Sequence, residues 1–192
     1  MPLSSEALEA AHLIDRLERL ARSGELADRL NPAQWDALRY LARANRFSRT
    51  PAALADYLAS TRGTVSRTLA SLESKGFVTR KPSARDGRSV EFALTREAEQ
   101  ALKHDPLLAL AADIEQATGG DAAALLDGLR RTLRNAIARN SGRAFDACFS
   151  CRHFRAQVRP ASRTPHHCAL LDEPLSEIDS RAICVEQEST AA

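Results

Sequence analysis

Four cysteines carry the most explicit chemistry in this sequence. They fall as Cys148-x2-Cys151-x16-Cys168-x15-Cys184, and residues 1–147 contain none. Two sulfurs in a Cys-x2-Cys turn reach one ion without strain, and two further thiolates complete a tetrahedral shell. Clustering of this kind in an intracellular chain favours metal or redox chemistry over structural disulfides. Zinc is one occupant for such a set and would supply folding free energy to the segment. A [4Fe–4S] cluster takes the same four ligands. Thiol–disulfide switching is a third reading. His153 follows Cys151, and His166 and His167 abut Cys168. Four sulfurs make these histidines unnecessary as ligands, so they are expected around the site or at the surface.

A second candidate chemistry is cationic. Residues 61–90 hold Arg62, Arg67, Lys75, Arg80, Lys81, Arg85 and Arg88 against only Glu73 and Asp86. The whole chain carries a net charge of only +2, so this excess is local. A basic patch on a near-neutral chain has the form of a nucleic-acid footprint. Its placement decides the matter. Arg62, Gly63, Thr64, Ser66 and Arg67 open a helix whose inward positions are Val65 and Leu69, which turns the five towards solvent. Arg can grip guanine O6 and N7 with two hydrogen bonds, and Ser or Thr can bond bases or phosphates. Gly63 permits close backbone approach, and a helix N-terminus favours phosphate. Lys81, Arg85 and Arg88 follow on a hairpin tip. An Arg there can enter a narrow minor groove, with Asp86 holding the Arg88 side chain.

The elements that must position these residues are legible from periodicity and caps. Residues 5–22 predict an amphipathic helix with Leu8, Leu13, Ile14, Leu17 and Leu20 on one face. Asn31-Pro32-Ala33-Gln34 starts a second helix, lined by Trp35, Leu38 and Leu41. Thr50-Pro51 starts a short third, and Thr61 caps the longer fourth, which Gly76 ends. Residues 77–80 and 90–94 alternate as two strands around a long basic link at 81–89. Thr95 caps a helix broken near Asp105-Pro106, and a last helix spans 121–140 with a Leu125, Leu126, Leu129, Leu133, Ile137 stripe. The expected fold is mainly α with a small β-hairpin wing. Residues 1–31 form an N-terminal dimerisation helix, 32–96 a winged helix-turn-helix core, and 97–141 C-terminal dimerisation helices. Residues 142–192 form a small metal-stapled extension.

The run Thr61-Arg-Gly-Thr-Val-Ser-Arg-Thr-Leu-Ala-Ser-Leu-Glu-Ser-Lys-Gly-Phe-Val78, with Arg85-Asp-Gly-Arg-Ser-Val90 and Leu94-Thr95, resembles the MarR family of transcriptional regulators. The resemblance covers residues 5 to about 140. It implies a recognition helix at 62–75 and a wing whose Asp-x-Arg motif matches Asp86 and Arg88. It also implies a homodimer on a pseudo-palindromic operator, usually as a repressor, with a small-molecule or redox effector. A physical argument agrees on the dimer. The stripes on the first and last long helices need burial that a small core does not give, and two copies would set two recognition helices about 34 Å apart. The cysteine segment lies beyond that resemblance. Its Cys148-Phe-Ser-Cys151-Arg-His-Phe154 run is similar to the spacing of high-potential iron–sulfur proteins, without their aromatic shielding.

Other classes fit less well. The 44% hydrophobic and 27% charged composition is that of a soluble globular chain. No apolar run approaches the roughly 20 residues of a membrane span. Residues 1–22 lack the basic start and cleavage site of a signal peptide, so a cytoplasmic location is expected. No Ser–His–Asp grouping, P-loop or dinucleotide fingerprint is present, which argues against an enzyme. The alternatives are a thiol oxidoreductase using Cys148 and Cys151, or an adaptor whose cysteine segment docks another protein.

Overall fold

The computed structural model describes residues 3–23, 30–83 and 89–189. After α1 (Ser5–Ser23), short-range caps start the next helices. α2 (Pro32–Arg43) opens on a capping box: the Asn31 side chain accepts the Gln34 N–H, and the Gln34 side chain accepts the Asn31 N–H. Pro32 fills a first-turn position where no N–H is needed. α3 (Pro51–Tyr57) and α4 (Arg62–Ser74) repeat the device, with the Thr50 and Thr61 hydroxyls accepting from the Ala53 and Thr64 N–H groups. Gly76, at φ +79°, then turns the chain out of α4 through a conformation that costs glycine little.

β1 (Val78–Pro82) pairs antiparallel with β2 (Val90–Leu94), Val78 facing Leu94 and Pro82 facing Val90. The first strand therefore runs two residues further than alternation indicates. Pro82 sits at its last position, where a missing N–H breaks no interior ladder bond. Thr95 caps α5 (Arg96–Leu102), and its hydroxyl donates to the Gly76 carbonyl at 2.7 Å, closing the hairpin base. The wing tip, including Arg85, Asp86 and Arg88, lies outside the described residues.

One core joins these elements. Trp35, Leu38 and Leu41 of α2, Leu54 of α3, Val65, Leu69 and Leu72 of α4, and Phe77, Val78, Phe92 and Ala98 are all buried together. Gln34 is buried as well, donating to Ser71 at 2.9 Å and accepting from Lys75 at 2.9 Å, so that it locks the start of α2 to the end of α4. The Phe92 N–H donates to the Arg49 carbonyl at 2.8 Å, tying the wing to the loop before α3.

The flanking helices are built differently. α6 (Leu107–Ala117) and α7 (Ala123–Arg139) bury none of their described residues. Eleven Leu and Ile side chains on α1, α6 and α7, among them Leu8, Leu20, Leu108 and Leu133, are 39–59% exposed. Such an apolar surface on three adjoining elements is far more than scattered exposure of single residues. The break between α5 and α6 has a local cause and a tertiary one. Asp105 accepts the Leu107 N–H at 2.8 Å, and Arg39 of α2 grips the same carboxylate through Nε at 2.8 Å.

The C-terminal segment folds into the main core. A 3₁₀ turn (Cys148–Ser150) leads to a three-stranded antiparallel sheet of β3 (Phe154–Arg155), β4 (His166–Cys168) and β5 (Glu173–Leu175), followed by α8 (Glu177–Arg181). Phe145 is buried against Tyr40 and Tyr57, with both rings near edge-on. Ile183 bridges Ala44 and Ala147, and its carbonyl accepts the Asn45 N–H at 2.9 Å.

Candidate nucleic-acid interface and thiol cluster

α4 presents the side chains that the sequence singled out. Arg62, Gly63, Thr64, Ser66 and Arg67 are all exposed, while Val65 and Leu69 between them are buried. Burial of those two residues fixes the rotation of the helix, so the outward face follows from the 3.6-residue period. The Thr64 and Thr61 hydroxyls lie 2.9 Å apart, and Arg67 Nε donates to the Gly63 carbonyl at 3.4 Å. Lys81 is exposed on β1, opposite Glu91.

Arg62 also lines a cavity of about 400 Å³ that the sequence did not reveal. Its walls come from the N-terminus of α3, the wing base at Ser83 and Ser89, and Arg143 and Glu186 of the C-terminal segment. Arg143 sits 3.7 Å from Asp56 and 3.5 Å from Glu186, and donates to the Val185 carbonyl at 3.1 Å. The C-terminal segment thus reaches the side of the fold that bears the α4 N-terminus. A second, apolar cavity of about 590 Å³ lies between α1, α2 and α6, lined by Ile14, Leu17, Tyr57, Leu102, Leu110 and Leu129 among others.

The four cysteines are free thiols. Cys148 and Cys184, both 5% exposed, share a small buried cluster with Leu175. Cys168, Phe154 and Phe47 pack against it. Cys148 and Cys184 are neighbours in that buried cluster, while Cys151 is tied to Cys148 through its backbone, its N–H donating to the Cys148 carbonyl at 2.9 Å. Donation from the Cys148 thiol lowers the pKa of Cys184, with help from Asn45, Ser48 and the Glu186 N–H against the cost of burial. The same hydrogen bond and burial push Cys148 up. Cys151 accepts the Glu188 N–H at 3.5 Å. Among the described residues, no three His, Cys, Asp or Glu side chains are already grouped as a metal cage.

The histidines are engaged elsewhere. His166 Nδ1 accepts the Gln157 N–H at 3.2 Å, which leaves Nε2 as the N–H donor to Glu177 at 3.0 Å. Both of its ring nitrogens are committed. His167 faces Asp172 at 3.2 Å, and His153 faces Glu188 at 3.5 Å.

Two residues in the thiol region were invisible to sequence reasoning. Asn45 and Ser48 look like ordinary loop residues, yet they are 1% and 0% exposed. Asn45 Nδ2 donates to Cys148 Sγ at 3.3 Å, its Oδ1 accepts the Ser48 hydroxyl at 2.7 Å, and Ser48 Oγ accepts the Val185 N–H at 2.9 Å. No local sequence signal marks either one, because the partners that tie them to the C-terminal segment, Cys148 and Val185, lie more than 100 residues away.

Comparison with known proteins agrees with this architecture. The MarR family model matches residues 28–89. No curated protein matches the chain. Among solved structures, the transcriptional regulator BldR from Sulfolobus solfataricus is similar at 22% identity, covering 70% of this chain and 99% of its own, with a TM-score of 0.53. FabT of Streptococcus pneumoniae, solved in complex with DNA, is similar at 19% identity over 70% of this chain and 94% of its own, TM-score 0.55. CouR from Rhodococcus jostii, solved bound to p-coumaroyl-CoA, is similar at 16% identity over 70% and 95%, TM-score 0.54. At these identities the likeness establishes the fold, a winged helix-turn-helix flanked by helices. No helix among the described residues is long and apolar enough to cross a membrane.

Proposed function

We propose that the protein is a homodimeric, sequence-specific DNA-binding transcriptional regulator, acting as a repressor. One observation carries this reading. Five residues suited to base and phosphate contact stand exposed on the first turns of α4, while Val65 and Leu69 anchor that helix to the α2–α3 core. A recognition helix enters the major groove by that end. Lys81 extends the basic surface along β1, and Arg85, Asp86 and Arg88 are assigned to the wing tip from the sequence. The family match over 28–89 and the DNA-bound FabT relative support the same docking.

The dimer follows from the exposed faces of α1, α6 and α7. A second copy laid on them removes apolar surface from water and spaces two α4 helices by about 34 Å, one turn of DNA. The 590 Å³ cavity beside those helices is the site we assign to a small-molecule effector, since its wall joins the DNA-reading core to the helices that would pair.

Selection from random-sequence duplexes followed by binding assays tests the assignment. Arg62→Ala and Arg67→Ala should each weaken the selected duplex by about 1–3 kcal/mol if the lost contact is bidentate to a base. Enrichment of no sequence by the wild-type protein would refute sequence-specific binding. Light scattering should find twice the 20.9 kDa chain mass.

A further inference from the structure

Four features of the C-terminal segment converge on its sulfurs. Cys148 and Cys184 share one buried cluster, and Cys168 packs against it. Cys151 ends the 3₁₀ turn that Cys148 begins. Polar hydrogens point at two of the four sulfurs: the Asn45 amide at Cys148 and the Glu188 N–H at Cys151. A neutral thiol is a weak acceptor, whereas a metal-bound thiolate draws such donors and is tuned by them. The charge pattern agrees. Residues 147–171 contain no Asp or Glu, but hold Arg152, Arg155, Arg159 and Arg163. A centre with four thiolates on a divalent ion carries two negative charges, and this stretch adds no further carboxylate beside Cys148, Cys151 and Cys168 in the chain.

One of these donors, Asn45, does not belong to the segment, and Ser48 in turn donates to it. Asn45 and Ser48 sit in the 44–49 loop between α2 and α3, and both are fully buried. The same loop is held to the segment by Asn45 N–H on the Ile183 carbonyl at 2.9 Å, and by Arg46 Nη2 on the Pro174 carbonyl at 2.6 Å. Arg49 in turn accepts the Phe92 N–H of the wing. The sulfurs and the loop that leads into the helix-turn-helix are thus joined by direct hydrogen bonds.

We propose that Cys148, Cys151, Cys168 and Cys184 bind one thiophilic metal centre per chain, and that Asn45 and Ser48 couple its loading to the order of the 44–49 loop. Loading releases the thiol protons to solvent and draws the Cys151 and Cys168 sulfurs onto the ion beside the buried Cys148 and Cys184. Zinc(II) and a [4Fe–4S] cluster share this four-thiolate chemistry. The consequence for DNA rests on the proposed function above: the loaded chain is the DNA-binding form.

The test uses the full chain purified anaerobically. Metal and sulfide analysis should give about one zinc, or about four iron and four sulfide, per chain. Absorption near 400 nm with sulfide identifies the cluster, and a colourless zinc-loaded chain identifies zinc. Cys168→Ser should abolish full loading. Stripping the metal should raise amide exchange over 44–49 by at least about tenfold while α5 keeps its protection. Asn45→Ala should weaken metal retention by roughly 10–100-fold, and Ser48→Ala serves as the milder check on the same readout. A chain that takes up neither titrated zinc(II) nor reconstituted iron and sulfide overturns the site. Equal exchange over 44–49 with and without metal overturns the coupling. Neither readout involves DNA, so a failure of the DNA assignment is seen separately. Where a selected duplex is in hand, stripping should weaken it at least about tenfold; unchanged or tighter binding overturns the regulatory direction.

Discussion

In residues 32–96, each helix start is fixed by a hydrogen bond spanning three residues, from Asn31, Thr50, Thr61 or Thr95 to the N–H of Gln34, Ala53, Thr64 or Ala98. In residues 142–189, the side-chain bonds that seat the cysteine cluster span 103 and 137 residues, from Asn45 to Cys148 and from Val185 to Ser48. The first region can begin to organise from local information, because a cap and its helix are neighbours in the chain. The second cannot. Its strands are two or three residues long, and its apolar anchors, Phe145 and Ile183, belong to the core of the first region. The cysteine segment is therefore an addition to the winged-helix core, packed into that core through Phe145 and Ile183.

The largest effect that would break this comparison is Phe145→Ala. The ring fills a buried site between Tyr40 and Tyr57, so its loss should cost about 3–5 kcal/mol. Trp35, the only tryptophan, reports on the winged-helix core. Denaturant unfolding followed by its fluorescence should shift as one transition. A Trp35 signal that ignored the substitution would show two independent units.

A smaller effect sharpens the link between the core and the flanking helices. Asp105 is held by Arg39 and caps α6. Burial alone would raise its pKa, but the Arg39 hydrogen bonds and the Leu107 N–H outweigh that and hold the carboxyl below its ordinary range. Asp105→Asn should cost about 2 kcal/mol at neutral pH. A group with a lowered folded pKa stabilises fully above its unfolded value and loses that contribution as pH falls through the folded one. The gap between wild type and variant should accordingly narrow on acidification below the usual carboxylate range, measured by thermal melts. A gap independent of pH would show that charge at Asp105 contributes nothing.

The smallest is Thr61→Ala at the start of α4. It removes one cap bond, and about 1 kcal/mol of stability is expected to go with it. The shift should be seen in the same Trp35 transition, since α4 belongs to that core.

Much of the winged-helix region was legible beforehand for a physical reason. Thr61 at a cap, Val65 and Leu69 at an inward spacing, and Gly76 at a stop constrain the outward face of α4 before any contact is known. The break at Asp105-Pro106 was legible too, though the part played by Arg39 was not. The cysteine spacing picked out Cys148, Cys151, Cys168 and Cys184 as a set, yet it gave no sign that Cys148 and Cys184 share one buried cluster with Leu175. Arg143 was equally hidden, because its partners Asp56 and Glu186 lie far away on either side in the chain.

By itself, then, the sequence determined which residues are chemically equipped and which helices carry them, since caps and periodicity act over three or four residues. Only the tertiary structure decided that Asn45 and Ser48, unremarkable in a loop, are buried against the sulfurs. Burial and long-range hydrogen bonds depend on which surfaces meet, and a linear pattern of types does not record that.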